Sequence, residues 1–414
     1  MLLGRNAKRQ LAGLLTGALL CPAAAFAQSL HGCTDLEEAR HPSFEGLSGV
    51  FFQLDPDLLN DNRISDASVA AIASLSAALE ERGTKLIFAP LPTKSLAMPD
   101  HLGPEAAKFG YQADVAAAIF DEGVARLMTS GISTLNLRGV LASTEPEFPF
   151  HKADPRLTQA GTKALAQAIA DVIPDLGTPW LQSISTGQEL MPSFERQILQ
   201  LHCQAPLPEL KIDTLSLTQI PDQETVEDPK RIVVAGSIHT ADPSLFLHGF
   251  LQEFLAADVQ LLPPGDATQP LAAYLTSDGF LESPPEYIIW IAPIWQNLFS
   301  RGDQPLRELV AAARHKCEEL PAVGAPGETI KSEELADLDP AKSVMALAPG
   351  AATKLSFHFV FGNDSRLTKT IAREESADFE GRFFQPLTGL PSGPATIEVA
   401  SDPTSPTKLY LCEG

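Results

Sequence analysis

Arg231-Ile232-Val233-Val234-Ala235-Gly236-Ser237-Ile238-His239-Thr240-Ala241 is an apolar run of strand length that ends in Gly-Ser and passes straight into a helix-compatible segment. β-Branched residues bounded by glycine read as a buried strand with a sharp turn after it. In open α/β folds such a turn lies at the carboxyl edge of a parallel sheet, where ligands collect. The stretch therefore predicts both the fold class and the neighbourhood of a site.

Three further runs read as buried strands: Lys85-Leu86-Ile87-Phe88-Ala89, Ser133-Thr134-Leu135-Asn136-Leu137 and Tyr287-Ile288-Ile289-Trp290-Ile291. Between them lie helix candidates over 66–82, with Val69, Ile72, Leu75 and Leu79 on one face and Gly83 as terminator, and over 104–128, 159–172, 243–257 and 267–276. The alternation predicts an α/β domain, its parallel sheet covered on both faces, over residues 28–320. Residues 187–230 show neither period and are expected to be irregular, tied down by Cys203. After Pro321 the texture changes. Residues 321–341 are rich in Pro, Gly and charge and read as a linker. Residues 342–414 then alternate polar and apolar side chains, most plainly in Thr353–Phe361, with short runs at 367–372, 381–384, 395–400 and 409–412. That pattern predicts a small antiparallel β-sandwich.

Arg5, Lys8 and Arg9, the apolar stretch Leu11–Leu20 and Ala25-Phe26-Ala27 form the layout of a cleavable secretory signal over 1–27. An exported protein is expected, with no membrane span after cleavage, since no later run reaches the roughly 20 apolar residues required. Without the leader, 27 Lys plus Arg face 52 Asp plus Glu, a formal charge of −25. This field repels nucleic acid, and an anionic glycan would need a local cationic surface. Five cysteines become four when Cys21 leaves with the leader. An even count in an exported chain favours disulfides, and three pairings are open. Cys33–Cys203 with Cys317–Cys412 is the pairing that would bracket each domain separately, each loop contributing on the order of 4–5 kcal/mol in the chain-entropy account. No two cysteines stand at the close spacing of structural zinc, and neither a metal nor a cofactor is expected.

A second segment, Phe150-His151-Lys152-Ala153-Asp154-Pro155-Arg156-Leu157-Thr158-Gln159-Ala160-Gly161, completes a pattern. With Val234–Ala241 it resembles the paired active-site motifs of the alginate O-acetyltransferase family, the AlgX and AlgJ type, in order and spacing. Pro90-Leu91-Pro92-Thr93-Lys94 is similar to that family's Pro-x-Lys segment, and Pro284–Trp290 to its strand before a Trp-Glu pair. The four mature cysteines fall where the family's two disulfides would. The resemblance implies an SGNH-like α/β domain followed by a carbohydrate-binding sandwich, a periplasmic location and a role in exopolysaccharide biosynthesis. Implied partners are an anionic exopolysaccharide and a membrane-bound O-acyltransferase or secretion complex.

The family's chemistry needs a serine nucleophile in Gly-Thr-Ser-aromatic-Ser, and an aspartate that orients a general-base histidine in Asp-x-His-Trp-Thr. Aligned on Gly236, the nucleophile position holds Ile238, with Ser237 before it and His239 on the aromatic. Aligned on Asp154 and Thr158, the base position holds Arg156, and Leu157 replaces the tryptophan. Isoleucine offers no lone pair, and guanidinium stays protonated. Ile291 stands in place of the glutamate after Trp290. A degenerate, polysaccharide-binding component is therefore expected. The alternative is an active O-acetyltransferase or esterase with Ser237 as a shifted nucleophile and His239 as base, although residues 237 and 239 flank a tight turn. His151 is a second candidate base. Arg156 either pairs with Asp154 and fills the old acyl site, or binds a polymer carboxylate. In the C-terminal module, Lys354, Arg366, Lys369 and Arg373 face a single acid, Asp364, and are the expected glycan contacts.

Overall fold

A computed structural model describes residues 29–413 except 145, 175, 266–267, 297, 299–303, 325–328, 349–352, 374–380 and 402–407. The leader read over 1–27, with Cys21, lies outside the described residues.

A small hairpin of β1 (Ser43–Glu45) and β2 (Phe51–Gln53) precedes α1 (Asp66–Glu80), which Ser65 caps by accepting the Ser68 amide at 3.0 Å. β3 (Lys85–Leu91), α2 (Lys94–Ala97), α3 (Ala113–Thr129), β4 (Ser133–Thr134), α4 (Leu137–Ala142) and α5 (Gln159–Val172) follow. The helix expected over 104–128 is broken: Pro104–Phe109 is a 3-10 turn that ends at Gly110, φ 77°, because Tyr111 turns inward to donate to Ser95 Oγ at 3.0 Å. The strand expected over 133–137 stops at Thr134, since Asn136 caps α4.

Residues 187–230 are not irregular. β5 (Leu181–Leu190) and β6 (Lys211–Gln219) pair as a two-stranded antiparallel ribbon, with α6 (Phe194–Gln200) between them. Seven of the ten β5 residues are exposed, and in β6 only Ile212 is fully buried, with Leu215 packed against the same core, so the hydrophobic period that marks a strand is too sparse to read.

β7 (Lys230–Ala235) runs into α7 (Ile238–Ala241), then come α8 (Leu247–Phe254), β8 (Ala257–Leu261), α9 (Gln269–Leu275), α10 (Asp278–Glu282), β9 (Tyr287–Pro293) and α11 (Gln304–Arg314). The expected parallel sheet is present, in the order β4-β3-β9-β7-β8. Alternate residues feed two cores. Ile87, Val234, Ile289 and Ile291 pack towards α5 and α8, while Phe88, Val233, Ile288 and Trp290 pack towards α1, α9 and α11. Trp290 is thus a core residue, stacked edge-on against Phe88 at 5.2 Å.

The remaining strands are β10 (Cys317–Glu319), β11 (Ala322–Val323), β12 (Ile330–Ser332), β13 (Lys342–Leu347), β14 (Lys354–Phe361), β15 (Arg366–Ala372), β16 (Arg382–Pro386), β17 (Ala395–Ser401) and β18 (Lys408–Glu413). They form two antiparallel sheets, β10-β18-β13-β16 and β11-β12-β17-β14-β15, over a core of Leu355, Phe357, Phe359, Phe383 and Ile397. The stretch 321–341 contributes two of these strands. Ile330 and Ser332 point inward, and Ser332 Oγ accepts the Ile397 amide at 3.0 Å. The outer face of the four-stranded sheet is buried as well, because Met345, Phe384 and Cys412 join the α11 core. Both disulfides close as Cys33–Cys203 and Cys317–Cys412.

Candidate active site

Two loops meet at the carboxyl edge of the central sheet. One leaves β7 through Gly236, where an added Cβ would lie 2.9 Å from Thr240 Oγ1, so only glycine lets α7 start this close to the strand. The other, 147–158, lies against the first turn of α5. Thr158 caps that helix by accepting the Gly161 amide at 3.1 Å, and a Cβ on Gly161 would fall 2.2 Å from the Pro149 carbonyl oxygen. The Leu157 amide donates to the His239 carbonyl at 3.1 Å, which joins the two loops.

Arg156 occupies the centre of this junction. Its Nε and Nη2 donate to Asp154 Oδ1 and Oδ2 at 2.8 and 2.9 Å, its Nη1 to Asp242 Oδ2 at 3.1 Å, and Nη2 also to the Pro192 carbonyl at 2.8 Å. Burial works against the Asp154 carboxylate, but hydrogen bonds from Arg156 and Ser193 and the charge of Arg156 outweigh it and hold its pKa below the ordinary range. Burial also opposes the charge of Arg156, and its two carboxylates more than compensate. Four of the five guanidinium N–H donors are taken by these partners, so of the two roles open to it from sequence, the ion pair with Asp154 is the one the geometry supplies.

Ser237 is buried, and its Oγ accepts the His239 amide at 3.3 Å as the cap of α7. Among the described residues no imidazole nitrogen hydrogen-bonds to that hydroxyl. Ile238 points out of the site, with half of its surface exposed. The His239 ring lies edge-on to Trp295 at 5.4 Å, and its Nδ1 is buried without a partner. Burial lowers its pKa, and Asp154 and the Pro155 carbonyl offset this only in part.

Beneath the loop is a feature the sequence flagged only as part of a motif. Lys94 is buried, and its Nζ donates to the carbonyls of His151 at 2.6 Å, Lys152 at 2.9 Å and Asp154 at 3.4 Å. Asp57 accepts the Lys94 amide at 3.1 Å and the Gln53 amide at 2.9 Å. Burial lowers Lys94 to about 8 and raises Asp57 to about 6, each shift moderated by the other's charge. Lys94 thus fixes the backbone that carries Asp154. Asp57, Asp242, Ser193 and Trp295 were not singled out from sequence. Only Asp242 carried a signal, as an Asp-Pro-Ser turn whose carboxylate accepts the Ser244 amide at 3.0 Å.

His151 sits on the same loop with Nε2 buried and unpartnered, and burial first, then Arg156 and Lys94, lower its pKa to about 4 against the pull of Asp154. An unfolded imidazole takes up its proton near 6.5, so stability falls as pH drops from there to about 4. Asp57 opposes this, because its raised folded pKa of about 6 makes the native state bind a proton first over the same window. Replacing His151→Gln removes one of these opposed terms. The loss of stability between pH 7 and pH 4.5 is then expected to shrink by about 2–3 kcal/mol relative to the parent, as urea unfolding at both pH values would measure. An unchanged difference would place the imidazole in water.

The expected glycan contacts do not form one patch. Arg373 is buried, ion-paired to Glu308 of α11 through both carboxylate oxygens, with Nη1–Oε2 at 2.9 Å and its guanidinium over the Phe383 ring at 5.1 Å. It is a packing element between α11 and the sandwich, which corrects its reading as a surface cation. Lys369 pairs in register with inward-facing Phe357, so it lies on the opposite face of edge strand β15 from Arg366, whose partner is Val360. Lys354 shares the outer face with Arg366 but at the far end of the pair, opposite Ala372, and Arg366 is held by Glu398 at 3.2 Å.

Residues 50–294 match the family described as "SGNH hydrolase-like domain, acetyltransferase AlgX". The chain belongs to that family. It is 24% identical over 288 residues to the alginate biosynthesis protein AlgX of Pseudomonas aeruginosa, an alignment covering 66% of this chain and 59% of that protein. It is 26% identical over 280 residues to a probable alginate O-acetylase AlgJ of Pseudomonas fluorescens, covering 60% and 68%. The chain thus spans under two thirds of that AlgX relative's length. A solved structure of Pseudomonas aeruginosa AlgX superposes with a TM-score of 0.74 at 19% identity, covering 95% of this chain and 98% of that one, so the two share a fold. Among the described residues no helix is long and apolar enough to cross a membrane.

Proposed function

We propose that the protein is an alginate-type exopolysaccharide biosynthesis component of the periplasm that serves the O-acetylation stage by holding polymer, and that it does not transfer acetyl groups itself. The observation carrying this reading is Arg156, which stands at the position of the family's base, bonded to Asp154 and Asp242. Acyl transfer needs a hydroxyl and a base to take its proton. Here the position of the base is a permanent cation, the position of the nucleophile is an outward-facing isoleucine, and the neighbouring Ser237 hydroxyl accepts a helix amide. In this reading residues 28–320 form the SGNH-like unit and 342–414 the polymer-binding one. Lys354 and Arg366 on the outer sheet face, with Lys369 on the edge, are candidate contacts to an anionic chain. A membrane-bound O-acyltransferase or a secretion complex is the expected protein partner.

The test is incubation with p-nitrophenyl acetate, followed by intact and peptide mass spectrometry. No acetyl adduct is expected on Ser237, and ester release should be the same in Ser237→Ala. A burst of one equivalent that Ser237→Ala abolishes would establish the rival reading, an esterase or O-acetyltransferase with a displaced nucleophile.

A further inference from the structure

The ribbon of β5 and β6 is a sheet of its own, and a two-stranded ribbon is marginal unless something supports it. Helix α8 supplies that support, with Ser183 donating to Glu253. The outer edge of β6 is guarded. Gln159 of α5 meets the Asp213 main chain as a neighbouring strand would, donating to its carbonyl and accepting its amide, both at 2.8 Å, and the turn at Pro243–Leu245 lies beside it. The outer edge of β5 is not. Among the described residues no main-chain bond from outside the ribbon reaches 182–190, and residues 184–190 are exposed throughout.

Proteins blunt such edges by making them short, charged or proline-bearing. The other edge strands follow this rule. β4 and β11 have two residues and β1, β2 and β10 three, while β8 carries Asp258, β15 Arg366 and Lys369, and β16 Arg382 and Pro386. Leu181–Gln188 has neither a charge nor a proline. The ladder bulges at Thr186, whose side chain turns back into the ribbon to donate to the Thr214 carbonyl at 2.9 Å.

A free edge accepts an extended segment, and the charge of the chain narrows which one. With 52 acids against 30 bases, two copies repel over most of their surface. Two β5 strands meeting along 181–188 put no like charges opposite each other. The pairing also closes, because a β6-β5-β5-β6 sheet exposes only the two edges that Gln159 guards. Ile184, an exposed apolar side chain on the free strand, gains cover in that sheet.

We infer that two copies of this chain associate through β5, antiparallel across a two-fold axis. The inference does not depend on the chemistry of the sheet-edge site. One strand pair is a small interface, so the expected dissociation constant is about 1–100 µM. Light scattering of the full chain over a concentration series should show the mass rising from one copy to a plateau at two. Amide exchange over 182–188 should slow along the same series, a readout that needs no variant. Ile184→Lys and Ile184→Glu should each weaken the dimer about tenfold or more, with thermal unfolding unchanged, and mixing the two should restore it. Leu201→Lys, at an apolar position 85% exposed against 43% for Ile184, should change the affinity less than about twofold.

A chain that stays monomeric at about 100 µM overturns the proposal, as does a mass that climbs past two copies without a plateau. A dimer that survives both Ile184 variants, or that Leu201→Lys dissociates instead, puts the interface elsewhere and overturns it too.

Discussion

Replacing Arg373→Met is expected to lower the unfolding free energy by about 3–5 kcal/mol, and the pair Arg373→Met with Glu308→Leu to restore most of it. The side chains of both partners are almost fully buried. Removing the cation strands the Glu308 carboxylate in a low-dielectric seam beside Phe383 and Phe384. Replacing both by apolar groups of similar volume removes the desolvation cost along with the attraction, so the double variant should approach the parent. Urea unfolding of the parent, the single and the double variant measures this directly. A single variant that costs under about 1 kcal/mol would mean that the pair is solvated in solution.

Arg156→Ala is the second large effect, and it separates a structural arginine from a ligand-binding one. The change leaves Asp154 and Asp242 close together without their shared cation, with the Asp154 side chain almost inaccessible to solvent. The expected loss is about 3–5 kcal/mol at neutral pH. Its pH dependence has a definite sign. In the parent, the Asp154 pKa is depressed, so its contribution is present above the unfolded carboxyl value of about 3.9 and is lost as pH falls through the folded value. Without Arg156, burial dominates and raises that pKa, so the variant gains stability as it is acidified. The two stability curves should therefore converge towards low pH. Curves that stay parallel from pH 7 to pH 4, or a stability loss within about 0.5 kcal/mol, would show that Arg156 is a surface residue.

Much of the architecture is legible in the chain. The apolar runs at 85–89, 231–235 and 287–291 could be read as buried strands because a sheet covered on both faces needs apolar residues at nearly every position. The 66–82 helix was clear for a related reason, a single apolar stripe with Gly83 as its terminator, and the structure ends it at Glu80. The ribbon of β5 and β6 was not, because β5 is largely exposed and β6 buries only Ile212 fully, which leaves no readable hydrophobic period. The segment 321–341 looked like a linker because strands of two or three residues are too short to show any period.

The site was legible as identities but not as geometry. By the family resemblance, the sequence reads Arg156 and Ile238 where base and nucleophile would stand, and the degenerate site proposed above follows from those two identities. It could not tell whether Arg156 was free to hold a ligand, because its partners Asp242 and Pro192 lie far along the chain and arrive only when α6 and α7 close over the loop. Nor could it tell a surface cation from a buried one. Lys369 lies at the centre of β15 and Arg373 directly follows it, and the packing of α11 buries Arg373 while the strand register turns Lys369 to the opposite face from Arg366. Residue chemistry is local and is fixed by the chain, whereas burial and partnership are properties of distant segments brought together, and they decided which of these charges remain available to a ligand.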